Sequence, residues 1–336
     1  MLPETYQKLT ATRHSLNFRE AVEIQTVPLE APGARDIVVK NRYAGVNASD
    51  LLMAAGRYLI PTPVPCDLGV EAVGEVVAVG DEVALIRPGD AVLITAIGAG
   101  FREYYTTRAR RAVPIPQASP EILSLAIGGL TALLALKDTG AMTSGEVVLV
   151  TAAAGGTGQF AVQIAKEAGN HVIGTCGTDE KAEHLRALGC DRVVNYRKES
   201  LRDVLKAEYP NGVNLVLEGV GGELFDAALD NLANFGRLVT IGFIDEYKSS
   251  EPDRQPRPRV YYKVLAKNAS VRGFNLNLHF GRPDMGEHLA WLVGQYLNGT
   301  LKPQIDPAHF HGVAGALDAV EYLQAGRNNG KVVVTF

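Results

Sequence analysis

Cysteine is scarce in this chain: Cys66, Cys176 and Cys190 are all that 336 residues contain, and no two of them make a CxxC pair. An odd, scattered set argues against a disulfide framework and fits reduced thiols. Charge of one sign is also missing as an excess. Lys and Arg number 33 against 37 Asp and Glu, a formal net charge of −4, which offers no electrostatic attraction to nucleic acid. No apolar run reads as long enough to span a bilayer. The opening stretch MLPETYQKLTATRH has no apolar signal core. The expectation is a cytoplasmic protein whose partner is a small molecule, with neither nucleic acid nor membrane. Internal repeats and low-complexity segments are absent too.

The chain does contain enough apolar material, 46% of its residues, for substantial cores, and its length suits two domains. Its most informative segment is Val147–Ala168, VVLVTAAAGGTGQFAVQIAKEA. A β-branched strand leads into a small-residue turn and then an amphipathic helix. Ala153-x-Gly155-x-x-Gly158 has the spacing of the dinucleotide fingerprint, with alanine at its first position. The first small residue permits the tight turn, the second admits a pyrophosphate to the backbone, and the third lets helix and strand pack closely. Gly156 and Thr157 complete the turn, and the helix N-terminus offers unpaired N–H groups.

The N-terminal part reads as β-rich. Asp36–Lys40, Val73–Val79 and Ala91–Thr95 alternate with Gly/Pro turns such as Arg87-Pro88-Gly89-Asp90. The character changes near Ile122. Gly128–Leu136 is helical in composition, and strands are predicted at Val147–Thr151, His171–Thr175, Arg192–Val194, Leu215–Glu218 and Arg237–Ile241. Helices between them imply a parallel sheet with right-handed crossovers. Helices near Glu287–Leu297 and Gly315–Ala325 and a strand over Lys331–Phe336 follow. The late strand implies that the chain returns to its first domain.

Five stretches, in this order, resemble the medium-chain dehydrogenase/reductase superfamily over nearly the whole chain. They are Gly45-Val46-Asn47-Ala48-Ser49-Asp50, Gly69-x-Glu71-x-x-Gly74 continuing to Gly80, Arg87–Asp90, Ala153–Gly158 and Gly330-Lys331-Val332-Val333-Val334. The chain is similar to the zinc-independent quinone oxidoreductase and enoyl reductase branch. That resemblance implies an α/β protein, with a GroES-like β-rich catalytic domain over 1–123 and 268–336 and a doubly wound Rossmann domain over 124–267. It implies a site in the cleft between the domains and a homodimer formed through the Rossmann sheet edge. Zinc-dependent relatives carry a cysteine where Asn47 stands and a histidine where Val70 stands. Neither present residue is a usual zinc ligand, and His309-x-His311 has no third ligand beside it. No metal is expected.

The strand His171–Thr175 ends in Cys176-Gly177-Thr178, without the acid that would bind a ribose 2′-hydroxyl. Asp179 and Glu180 suit instead the first turn of a helix capped by Thr178. In NADPH-dependent relatives a lysine and a tyrosine matching Lys181 and Tyr196 hold the 2′-phosphate, so NADPH is the expected cofactor. The resemblance extends its site to Gly242, Phe243, Phe274 and Asn275.

The implied reaction is direct hydride transfer to an α,β-unsaturated carbonyl compound, such as a 2-alkenal or enone. The same fold and cofactor serve a quinone reductase equally well, and a catalytically inactive nucleotide-binding protein would share the motifs. Tyr58 matches the tyrosine proposed as proton donor in enoyl reductases, and Asn47 is placed to orient nicotinamide or substrate. Asp50 is read as fixing its loop, and Glu71 as stabilising either the local backbone or an internal ion pair. Asp245–Tyr262 interleaves prolines with Arg254, Arg257 and Arg259, which predicts an irregular loop and a candidate lid. Tyr261, Tyr262 and Asn277 are candidate substrate contacts.

Overall fold

The structure, a computed structural model, describes residues 2–247 and 260–336. It divides into two units, one formed by Met1–Ile127 with Ile305–Phe336 and the other by Gly128–Gln304.

The first unit begins with β1 (Thr5–Ala11), β2 (Val22–Pro28), β3 (Asp36–Gly45) and β4 (Cys66–Asp67). It continues through β5 (Glu71–Val79), β6 (Ala91–Thr95), β7 (Tyr104–Arg108) and β8 (Val113–Pro114). Strands β2, β1 and β4 form a small antiparallel sheet. The larger sheet is built on β3, whose apolar residues Ile37, Val38 and Val39 are fully buried and which pairs antiparallel with β5 and β7. Gly69, just before β5, has φ +83°, and a Cβ there would meet the backbone nitrogen of Phe101 at 2.4 Å. Only glycine permits that approach of two loops.

The second unit holds β9 (Val147–Val150), β10 (His171–Cys176), β11 (Arg192–Asn195), β12 (Val213–Glu218), β13 (Leu232–Thr240) and β14 (Ser270–Gly273). They form one parallel sheet in the order β11-β10-β9-β12-β13-β14. That is the doubly wound order, with its reversal point between β9 and β12. The central strands read as continuous apolar runs because both faces are covered: Val148, Leu149, Val150, Leu215 and Val216 are all fully buried.

The chain then returns to the first unit with β15 (Phe310–His311), the helix Gly312–Gln324 and β16 (Val333–Thr335). β16 inserts between β15 and β3, pairing Val333 with Gly45 and Val334 with Ala44.

The expected strands and late helices are present, with shifts of a few residues at their ends. Three expectations need correction. The return to the first unit falls at Ile305, not at 268. The reason is that β14 hydrogen-bonds to β13 and so belongs to the parallel sheet. Helical backbone covers Pro120–Thr139 rather than Gly128–Leu136 alone, and by length and composition this stretch passes for a membrane span. Most of it is buried in the protein, 72% of its most apolar 18-residue window, which accounts for its apolar character without a bilayer. Finally, Tyr261 and Tyr262 lie in the helix Val260–Lys267, and Asp245 and Glu246 in a helical turn over Ile244–Glu246. The three arginines of the expected lid lie outside the described residues.

Candidate active site

In the first unit the motif residues converge on a buried ion pair. Lys331, two residues before β16, points its ammonium at three acceptors: Glu71 Oε1 at 2.5 Å, Asn47 Oδ1 at 2.7 Å and the Val46 carbonyl at 3.2 Å. Three donors thus meet three acceptors, and neither charge is exposed beyond 3% of its side chain. Asn47 Nδ2 donates to Glu71 Oε1 at 2.8 Å and, more weakly, to the Gly45 carbonyl at 3.3 Å. The second Glu71 oxygen accepts from the Ile127 backbone N–H at 3.2 Å. Gly45 has no room for a side chain, since a Cβ would lie 2.2 Å from Glu71 Oε1 and 2.8 Å from Lys331 Cε.

Of the two roles open to Glu71, this arrangement shows both: an ion pair whose partner is Lys331 and a hold on the backbone at Ile127. Lys331 stands in the motif Gly330–Val334, and nothing near it in sequence signals this role. Asn47 emerges as a structural link: both ends of its amide are engaged inside the protein, and its backbone opens the helix Ala48–Ala54. Asp50 accepts from the Asn47 N–H at 2.8 Å, as a loop-fixing residue should. Its other oxygen, buried, has no partner. Burial pushes the Asp50 carboxyl up to about 7, the pull of Lys331 offsetting only part of it and Glu71 adding to the rise. Tyr58 follows the helix, half-buried and packed against the core cluster that contains Leu9, Met53 and Phe101.

The second unit gathers the other candidates at the carboxyl ends of its parallel strands. After β9 the chain turns through Ala152, at φ +46°, and the Ala153 N–H bonds to the Thr175 carbonyl of β10 at 3.0 Å. A Cβ on Gly158 would lie 2.4 Å from the Ala152 carbonyl and 2.7 Å from Ala153 Cα, so the third small residue is what lets the helix Gly158–Glu167 pack so closely. That helix has neither a side-chain cap nor an acid in its first turn. Gln159 N and Phe160 N donate to the Gly155 and Thr157 carbonyls at 3.2 and 3.1 Å, but no side chain competes at this positive helix end, which suits an anion.

Beyond β10, Gly177 makes room for Tyr196: a Cβ there would stand 2.7 Å from the Tyr196 hydroxyl and 3.4 Å from Arg197 Nε. Asp179 is engaged by its own neighbours. It accepts from Asn195 Nδ2 at 3.0 Å and pairs with Lys198, and that hydrogen-bonding holds its carboxyl below the usual range. Thr178 caps the next helix by accepting from the Lys181 N–H at 3.3 Å. The adjacency of Arg197 to Tyr196 was visible in the sequence, but only the fold puts both against Gly177. The set Lys181, Tyr196 and Arg197 suits a phosphate on the ribose edge of a dinucleotide.

Gly242 and Phe243 follow β13, and Phe274 and Asn275 follow β14, so both pairs sit at the same end of the sheet. Phe274 is buried, stacked at 4.8 Å on His279. Asn275 caps a short turn by accepting from Asn277 N at 3.1 Å, and Asn277 Nδ2 bonds back to it at 3.0 Å. Tyr261 and Tyr262 are 71% and 61% exposed. Among the described residues no group of three or more His, Cys, Asp or Glu could hold a metal; His311 bonds to Thr335 instead.

Residues 33–117 match the alcohol dehydrogenase GroES-like domain family, and residues 156–293 match the family described as zinc-binding dehydrogenase. The chain is 46% identical to mouse prostaglandin reductase-3 over 342 residues, covering 99% of this chain and 90% of the relative. It is 42% identical to a probable quinone oxidoreductase of Leishmania amazonensis, covering 99% and 98% of the two. Among solved structures, the Escherichia coli quinone oxidoreductase complexed with NADPH superposes with a TM-score of 0.83 at 27% identity, covering 98% of this chain and all of that one.

Replacing Lys331 by Met should destabilise the protein by about 3–5 kcal/mol, because Glu71 is left buried and unpaired. Adding Glu71→Gln should recover most of the loss; urea unfolding of the two variants checks this. The Asp50 carboxyl carries its proton more tightly folded than unfolded. Its contribution to stability is therefore full below about pH 4, is lost as pH rises toward 7, and is flat above that. Asp50→Asn should remove this component, so that its stability relative to the parent improves from pH 4 to pH 7 in unfolding curves.

Proposed function

The chain belongs to the zinc-independent quinone oxidoreductase and enoyl reductase branch of the medium-chain dehydrogenase/reductase superfamily, and on that premise we propose that it is an NADPH-dependent reductase of the C=C bond of α,β-unsaturated carbonyl compounds. The observation that carries this reading is the 46% identity to a prostaglandin reductase across 99% of the chain. The substrates would be 2-alkenals, enones or 15-keto-prostaglandin-like molecules. The likeness to quinone oxidoreductases in sequence and structure supports a second reading, reduction of quinones with the same cofactor.

NADPH, when bound, supplies the hydride for the β-carbon. The uncapped helix at Gly158 and the turn Ala153–Thr157 would hold its pyrophosphate, while Lys181, Tyr196 and Arg197 would hold its 2′-phosphate. Gly242, Phe243, Phe274 and Asn275 supply further surface at the same strand ends. In this reading Tyr58 donates a hydrogen bond to the carbonyl oxygen as charge builds there, and passes a proton toward the α-carbon. Such a donor lowers the barrier by roughly 3–4 kcal/mol. Asn47 acts through position, by fixing the loop that precedes Tyr58. The protein would work in the cytoplasm, where its three free cysteines stay reduced.

An NADPH oxidation assay across alkenals, cyclic enones and quinones tests the reading. Enone turnover is expected, with kcat reduced at least tenfold in Tyr58→Phe and KM for NADPH unchanged. Turnover of quinones alone, indifferent to Tyr58, would install the second reading, and NADPH binding without turnover of any carbonyl would retire both. A Tyr196→Phe/Arg197→Ala variant should raise KM for NADPH about 10- to 100-fold and leave NADH kinetics unchanged. For assembly, we propose a homodimer that covers β14: this is an edge strand, and Val271 on it is 37% exposed. Sedimentation equilibrium should give twice the chain mass, falling to one chain for Val271→Asp.

A further inference from the structure

A cavity of about 660 Å³ opens in the first unit and shares no lining residue with the Lys331 network. Its size lies in the range of sites that take small organic ligands. The floor is apolar. Ile86 and Ala112 belong to the buried cluster around Ile37 and Val92, and Val83 and Ala109 pack against that cluster. The rim is cationic, with Arg35, Arg108 and Arg110 against a single acid, Glu82. Arg35 is bound to Glu82 at 2.5 Å and Arg108 lies 3.3 Å from Asp36. Arg110 has no anionic partner among the described residues.

Backbone hydrogen bonds also pin the frame. Ala109 N donates to the Arg35 carbonyl at 3.1 Å, Glu82 N to Ala34 at 2.8 Å and Val83 N to Gly80 at 3.1 Å. One wall carries Leu85, 94% exposed, the most exposed large hydrophobic side chain among the described residues. An exposed leucine, a guanidinium without an anionic partner among the described residues and an apolar hollow line one cavity, and together they match one kind of molecule.

We propose that this cavity binds a single-chain amphipathic acid, an aliphatic chain ending in a carboxylate. The chain covers Leu85 and lies over Ile86 and Ala112. The carboxylate accepts from Arg110 and competes with Glu82 for Arg35. Guanidinium groups suit this head because they offer paired donors to a planar anion. No bond is made or broken; the site is a binding site, distinct from the reductase reading and independent of it.

Calorimetric titration of the full chain with dodecanoate, below its micelle concentration, tests the proposal, with dodecanol as the uncharged control. Dodecanoate is expected to bind at one site, at least tenfold more tightly than dodecanol. Arg110→Glu and Leu85→Asp, both at exposed positions, should each weaken it at least tenfold while NADPH-dependent turnover stays unchanged. The proposal is overturned if dodecanoate does not bind, if dodecanol binds equally well, or if both variants bind as the parent does. Binding to phosphatidylserine vesicles without binding of monomeric dodecanoate would overturn it as well, by showing a membrane contact in place of a single-chain site.

Discussion

The first unit depends on one buried charge pair. Lys331 and Glu71 stand 260 residues apart in sequence, yet their 2.5 Å contact holds three segments at once. The carboxylate takes the amide of Asn47 on one side and the Ile127 N–H on the other, while the ammonium reaches Val46 and Asn47. Two charges removed from water this completely are tolerable only when every donor and acceptor is used. That condition explains the neighbouring residue choices: glycine at 45, where nothing larger fits, and an amide at 47, which can give and receive hydrogen bonds together.

The second unit rests on a different constraint, the close approach of backbone to backbone. Small residues at 153, 155 and 158 bring a helix end onto the sheet and leave its first N–H groups without side-chain competitors. Gly177 repeats the device one strand over, where it admits the Tyr196 hydroxyl. Because all six strands run parallel, every such turn opens on the same end of the sheet. The residues that would contact a dinucleotide are scattered from 153 to 275 in sequence and gathered by topology alone.

Legibility followed the range of the forces involved. The fingerprint turn, the capped helix at Thr178 and the apolar strands of the parallel sheet are local patterns, and they stand where the sequence places them. Four-residue β14 carries exposed Val271, Arg272 and Gly273, with no apolar alternation to announce a strand, so nothing local marks the second unit as continuing beyond residue 267. The apolar stretch from Pro120 to Thr139 owes its helix to burial, which single-sequence periodicity reports only in part. Lys331 is the clearest case. Its neighbours spell an ordinary strand, and nothing near it in sequence says that β16 pairs with β3 and delivers its ammonium to Glu71.

The return of β16 to the sheet of β3 sets an order of events for a chain made from its N-terminus. Glu71 and its sheet leave the ribosome 260 residues before Lys331 does. At about 5–20 residues per second this is an interval on the order of ten to fifty seconds. During it the parallel sheet between the two segments has every strand it needs, while β3 still lacks its β16 neighbour and Glu71 its cation. The early segment waits as a partly open sheet, with Glu71 not yet matched to its cation, the period in which a chaperone would have most to hold.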